Sequence, residues 1–359
     1  MTHRLTARST FLVVGLLVAA CAAGGEDAPD EPTATEAPSE DVEEPGTGEE
    51  TSPEPEPVLT VVATVAPLTD LVARVGGERV EALSLVPPGA DSHTYEPRPS
   101  DVARLADADA YVGIGLGLND GALALAAESL PEGAPVVLLG EEALTDEDLV
   151  FDHDHGHDHG HDHGHDHGDG EGEGDEGPGP NPHVWTSLRA AERLVTGIRD
   201  VLVELDPGGE EHYRAAAQTL IAELVDLDER VGAALETVPE ANRTLVTYHD
   251  AWSYFARDYG LDFIAAVQPA DFSEPSAAEV REVIDLIREH DVPAVFGSEV
   301  FPSSVLEAIA EETDAVYVAD LADDVLPGDP GDPGHSYVGL METNARSIVE
   351  ALGGDPSGI

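Results

Sequence analysis

Histidine is the residue type in this chain with the clearest chemical pattern. Eight histidines, His153, His155, His157, His159, His161, His163, His165 and His167, alternate with aspartate and glycine between positions 152 and 168. Imidazole and carboxylate both ligate Zn²⁺, Cu²⁺ and Ni²⁺, so such a tract can hold metal weakly and in several arrangements. With glycine joints and no apolar side chains it has nothing to pack, and it reads as a loop. Three further histidines lie in polar turns beside apolar runs: His93 in Asp91-Ser92-His93-Thr94-Tyr95, His183 in Asn181-Pro182-His183-Val184-Trp185, and His249 in Thr247-Tyr248-His249-Asp250. Neutral imidazoles bind Zn²⁺ at about 2.0 to 2.1 Å, and one carboxylate completes a tetrahedron while offsetting metal charge. Asp320 and Glu299 each follow a predicted strand and are available for that role. Spacing alone leaves the alternative open that each histidine caps a helix or satisfies a buried hydrogen bond. His212 and His290 fall inside helical stretches, His335 reads as an exposed loop residue, and Asp250, Asp271 and Glu274 read as caps or solvated charges.

The elements that would position these side chains alternate between short apolar runs and helical patterns, as expected for parallel sheets wrapped by helices. Strands are predicted at 59–63, 81–85, 110–113 and 136–139, with helices at 67–75 and 100–105. After the histidine tract, 187–205 reads as a helix that ends at Asp206-Pro207-Gly208-Gly209. Residues 210–235 then keep helical composition for about 39 Å at 1.5 Å per residue, a length that suits a connector between two lobes. A second series follows, with strands at 244–247, 262–267, 294–297 and 315–318 and helices at 251–259, 276–290, 303–313 and 336–352. The predicted fold is α/β, two α/β lobes joined by a single long helix with a metal site in the cleft. In open parallel sheets ligands bind beyond the carboxyl ends of strands, where His93 and His249 fall.

The first 57 residues read differently. Arg4 and Arg8, the apolar run 11–20 and the small residues Ala19 and Ala20 make an export signal too short to span a bilayer. Val18-Ala19-Ala20-Cys21 resembles the bacterial lipobox, which makes Cys21, the sole cysteine, a lipidation site. Residues 22–57 are acidic and rich in Pro, Thr and Ser, a composition that cannot offset its ordering entropy and reads as a disordered tether. The expected organisation is therefore a signal at 1–21, a tether at 22–57, an N-terminal lobe at 58–206 with a His/Asp-rich loop at 152–180, a linking helix at 207–237 and a C-terminal lobe at 238–359. A net charge of -58, from 74 acidic and 16 basic residues, argues against nucleic acid or anionic lipid as partners.

Gly89-Ala90-Asp91-Ser92-His93-Thr94-Tyr95-Glu96-Pro97 with Ser100-Asp101, then Asn181-Pro182-His183-Val184-Trp185, then His249-Asp250-Ala251-Trp252-Ser253-Tyr254-Phe255, resemble the metal-binding solute receptors of bacterial ABC-type zinc and manganese importers. The resemblance spans about 58–352 in both order and spacing. It implies two α/β lobes bridged by one long helix, no catalysis, and a buried site made of His93, His183, His249 and Asp320. Manganese-type members usually carry Glu at the third position, so His249 favours Zn²⁺, with Mn²⁺ the alternative; nitrogen ligands point the same way. Glu299 is assigned mainly to structure. The tract resembles the His-rich loop of zinc-type members, an accessory that gathers or senses metal. The implied partners are a membrane permease and its cytoplasmic ATPase, with the chain held outside the cytoplasm by its lipid. A zinc hydrolase, a surface metal buffer relying on the tract alone, and an adhesin are the rival readings.

Overall fold

The computed structural model describes residues 57–151, 179–268, 273–298, 300, 304–319 and 321–359. The predicted lipidation segment, the predicted tether up to residue 56, the eight tract histidines, Asp271, Glu299 and Asp320 lie outside the described residues.

The first half builds a four-stranded parallel sheet from β1 (Leu59–Ala63), β2 (Val80–Ser84), β3 (Ala110–Gly113) and β4 (Val136–Leu138), in the order β2-β1-β3-β4. Its crossovers are α1 (Ala66–Gly76), α2 (Pro99–Ala106) and α3 (Asp120–Ser129), and the one-turn helix α4 (Leu139–Glu142) follows β4. Two helices then lead out of this lobe, α5 (Leu188–Leu205) and α6 (Glu210–Leu235). The second half repeats the theme with β5 (Thr244–Thr247), α7 (Ser253–Tyr259), β6 (Asp262–Ala266), α8 (Ala277–Glu289), β7 (Ala294–Phe296), α9 (Ser304–Thr313) and β8 (Val316–Val318). These strands also pair in parallel, in the order β6-β5-β7-β8, and α10 (Tyr337–Ala351) closes the fold. Both sheets therefore reverse strand order beside their first strand, and that reversal opens a crevice at the carboxyl ends.

The long helix α6 earns its length through periodicity. Its buried residues Tyr213, Ala217, Leu220, Leu224, Leu227, Val231 and Ala234 recur at alternating steps of four and three, a seam along one face. That seam packs against α1 and α5 of the first lobe and α10 of the second. At its start, Asp206 accepts hydrogen bonds from Tyr213 Oη at 2.7 Å and Arg79 Nε at 2.9 Å, and Glu210 and Glu211 complement the helix dipole. One continuous apolar cluster joins the lobes, reaching from Val61 and Leu68 through Leu224 and Leu227 to Phe255, Met341 and Ile348. Smaller clusters lie on the outer faces, Val62, Leu85 and Leu105 in one lobe and Val246, Val295 and Leu306 in the other. The lobes share a core, so the ends of the two sheets are held in fixed register.

Two helices escape the sequence pattern. Helix α3 is nearly all Ala, Leu and Gly, and its start is set by Asn119, whose Oδ1 accepts the Ala122 N–H at 2.7 Å. Helix α4 is a single turn whose first residue, Leu139, was expected to close the preceding strand. No described helix is long and apolar enough to cross a membrane.

Candidate metal centre

Each of the three separated histidines sits on a segment fixed by its own hydrogen bonds. His93 lies in the loop after β2. Asp91 Oδ1 accepts the His93 N–H at 2.9 Å, Asp91 Oδ2 accepts the Thr94 hydroxyl at 2.6 Å, and Tyr95 Oη donates to buried Asp101 at 2.7 Å. From below, Asn119 Nδ2 donates to the carbonyls of Ser92 at 2.6 Å and Tyr95 at 3.2 Å. Asn119 reaches that position because Gly115, Leu116 and Gly117 all take left-handed backbone, φ 78°, 54° and 75°, after β3. Glycine adopts that conformation freely, whereas Leu116 holds it against the steric cost of its own Cβ. His249 follows β5, with its carbonyl accepting the Thr247 hydroxyl at 2.6 Å. His183 precedes the 3₁₀ turn Val184–Thr186, and the Thr186 hydroxyl lies 2.9 Å from the His183 carbonyl and 2.8 Å from that of Ala251.

The three rings meet. His93 Nε2 lies 3.0 Å from His183 Nε2, which lies 2.9 Å from His249 Nε2, and one nitrogen from each ring fits within 4.8 Å of the others. Ligand nitrogens on a tetrahedral Zn²⁺ would be about 3.3 Å apart, given bonds near 2.05 Å. The two separations at His183 are within a few tenths of an ångström of that distance. His183 and His249 are 1% and 7% exposed, and His93 is half-buried. Burial, then the proximity of His249, holds His93 down to about 3, with Asp91 opposing; burial lowers His249 to about 4 against the upward pull of Gln268 and Asp91. His183 is pushed well below the usual imidazole value by burial and by its two neighbours. All three rings are therefore neutral at physiological pH, with lone pairs available to a cation.

The described carboxylate nearest the cluster is Asp323, in the loop after β8. Its Oδ2 is 3.8 Å from His183 Nε2, its side chain is 4% exposed, and its carbonyl accepts the Trp185 indole N–H at 2.9 Å. Next to it, buried Asp324 accepts the Ser92 N–H at 3.2 Å and ties this loop to the one bearing His93. Sequence reasoning favoured Asp320, which lies outside the described residues, and did not single out Asp323 or Asp324, which follow the same strand. It also passed over two amides that contact the rings, Asn181 and Gln268. His183 Nδ1 lies 2.8 Å from Asn181 Oδ1 and His249 Nδ1 lies 2.9 Å from Gln268 Oε1.

The other described histidines do not join the cluster. His212 Nε2 lies 3.0 Å from the Gly76 carbonyl at the end of α1, and His290 is the C-cap residue of α8, both structural positions. His335 is half-buried rather than exposed, because its Nδ1 reaches the Pro327 carbonyl at 3.2 Å.

The sequence model of the zinc-uptake complex component A periplasmic family matches residues 61–351, most of the chain and all of the site segments. The chain belongs to this family. The manganese-binding lipoprotein of Halalkalibacterium halodurans is 28% identical over 294 residues, covering 82% of this chain and 88% of that protein. The high-affinity zinc uptake system protein of Bacillus subtilis is 27% identical over 294 residues, covering 82% and 88%. Among solved structures, the periplasmic zinc-binding protein of Treponema pallidum superposes with a TM-score of 0.69 at 26% identity, covering 82% of this chain and 99% of that one. The family is one of metal-binding receptors for ABC-type uptake and not of enzymes. The two-lobed α/β architecture with α6 between the lobes is the family's fold.

Proposed function

We propose that this chain captures Zn²⁺ outside the cytoplasm and delivers it to a membrane permease powered by a cytoplasmic ATPase. The observation that carries the reading is the convergence of the three rings, with His93 Nε2 and His249 Nε2 each about 3 Å from His183 Nε2 and Asp323 beside them. His93, His183 and His249 supply three nitrogens and Asp323 the fourth ligand. Three imidazoles and one carboxylate match the ligand preference of Zn²⁺ and suit Mn²⁺, which prefers oxygen, less well. Protein groups filling all four positions leave no place for the activated water of a hydrolytic zinc centre. The two relatives named for manganese and for zinc keep Mn²⁺ as the second reading.

Cys21 carries the lipid that holds the receptor at the membrane, and residues 22–57 let the receptor stand clear of it. The tract histidines act as an accessory that raises local metal concentration and are not the transport site. The deciding experiment is titration of purified full-length chain with Zn²⁺ and with Mn²⁺ against a competing chelator. One tight Zn²⁺ equivalent, lost in His183→Ala and retained when 152–178 is deleted, is the expected result. Tight binding that disappears with the tract instead would make the chain a surface metal buffer, and tighter Mn²⁺ than Zn²⁺ would reverse the cargo.

A further inference from the structure

Asn181 is 1% exposed and every one of its polar atoms is engaged. Its backbone N–H donates to the Val150 carbonyl at 2.7 Å and its carbonyl accepts the Tyr254 hydroxyl at 2.6 Å. Its side-chain Nδ2 donates to the Asp250 carbonyl at 2.7 Å. A carbonyl can only accept, so that contact fixes which end of the amide is nitrogen. The other end, Oδ1, then faces the His183 backbone N–H at 2.9 Å and His183 Nδ1 at 2.8 Å. An amide oxygen can only accept as well, so the imidazole proton must sit on Nδ1. His183 Nε2 is left as a bare lone pair, and it is this atom that lies 3.0 and 2.9 Å from the other two rings.

We propose that Asn181 is the positioning residue that locks His183 in its Nδ1–H tautomer and aims Nε2 at the cargo. The inference rests on the metal site read above, and it adds the group that prepares the site before metal arrives. An imidazole with its proton on Nε2 would have to move that proton before it could ligate; Asn181 removes that step in advance. Because Nδ2 holds the carbonyl of Asp250, the residue after His249, the same amide also fixes the distance between the segments carrying two of the three rings. Outer partners of this kind typically contribute 10- to 100-fold to metal affinity. The partner here is a neutral amide, a weaker acceptor than a carboxylate, and this suits a receptor that must give its metal up.

The test separates the two jobs of the side chain. Asn181→Leu removes both the acceptor for His183 and the donor to Asp250, whereas Asn181→Asp keeps the acceptor and sets a carboxylate against the Asp250 carbonyl. Zn²⁺ affinity of the full-length chain is read by chelator competition, apo stability by thermal melting, and the His183 tautomer by imidazole ¹⁵N chemical shifts. Expected are a 10- to 100-fold weaker Zn²⁺ complex in Asn181→Leu, with wild-type or tighter binding in Asn181→Asp despite a lower melting temperature. An apo wild-type His183 protonated on Nε2, or an Asn181→Asp protein that binds as weakly as Asn181→Leu, overturns the proposal, and the first readout stands even if a variant does not fold. His183→Ala serves as the control: if it leaves tight binding intact the metal-site reading itself fails, and if it abolishes binding while Asn181→Leu does not, only the role of Asn181 fails.

Discussion

Replacing Asp323 by Asn tests the fourth ligand with little change of shape. The substitution keeps the backbone carbonyl that accepts the Trp185 indole and removes the negative charge at Oδ2, 3.8 Å from His183 Nε2. That separation exceeds the tetrahedral ligand edge of about 3.3 Å by roughly half an ångström, so closure onto a bound ion needs a small side-chain shift. Four-ligand zinc sites bind with about 10 to 16 kcal/mol, which spread over four ligands is about 2.5 to 4 kcal/mol each. At about 1.4 kcal/mol per factor of ten, Asp323→Asn should weaken Zn²⁺ binding by about 60- to 700-fold. The same change at Asp320, the carboxylate favoured on sequence and outside the described residues, is the parallel variant, expected to weaken binding less than Asp323→Asn does. Competition against a chelator of nanomolar affinity in the full-length chain reads the strong site and leaves weaker tract sites silent. If Asp320→Asn weakens binding more than Asp323→Asn, the fourth ligand has been misassigned and the loop after β8 turns a different carboxylate inward.

The cluster's protonation makes a prediction with a definite sign. The unfolded histidines take up protons near pH 6.5, whereas folded His93 and His249 resist until about 3 and 4. Apo stability should therefore fall as pH drops from about 6.5 toward 4, because the unfolded chain binds protons the native one refuses, while Zn²⁺ affinity of the folded protein stays flat down to about pH 5. Thermal melts and metal titrations over the same pH series check both halves. Asn119→Ala should lower stability by about 2 to 3 kcal/mol, from one lost helix cap and two lost buried hydrogen bonds, and should weaken metal binding by loosening the His93 loop; urea unfolding and chelator competition measure the two effects. Leu224→Ala, in the seam of α6, should cost about 2 to 5 kcal/mol in urea unfolding and leave Zn²⁺ affinity of the folded protein unchanged.

Strands and amphipathic helices were legible because their apolar residues repeat with the period of the element. The predicted 59–63, 110–113 and 210–235 coincide with β1, β3 and α6, and β2 differs by one residue. Helix α3 was not legible, since Asp120–Ser129 alternates Ala and Leu without a polar face and its start is set by the tertiary environment of Asn119. Helix α7 begins at Ser253, two residues later than predicted, after Ser253 donates its hydroxyl to Asp250. At the site, the histidines were legible from their place in turns beside regular elements of parallel sheets. Asp323 was not, because facing is a property of the loop's path and not of its spacing. Asn181 and Gln268 were invisible as ring partners for a related reason, since amide orientation is decided only by what stands on either side.

The cluster could not exist as three exposed histidines. Rings whose Nε2 atoms lie about 3 Å apart cannot all carry protons, and in water each would protonate below about pH 6.5 and repel the others. Burial makes the charged form costly, so the rings stay neutral and adjacent. The cost of that burial is met by a core that runs through both lobes, because His183 precedes α5, His93 hangs from the first sheet and His249 from the second. Neutral rings also mean that an arriving metal displaces few protons at physiological pH, so capture depends little on the acidity of the surroundings. Release cannot then rely on mild acidification. On the proposed reading it comes from separation of the segments that carry the ligands, which the contacts of Asn181 with Asp250 and Ser92 with Asp324 join.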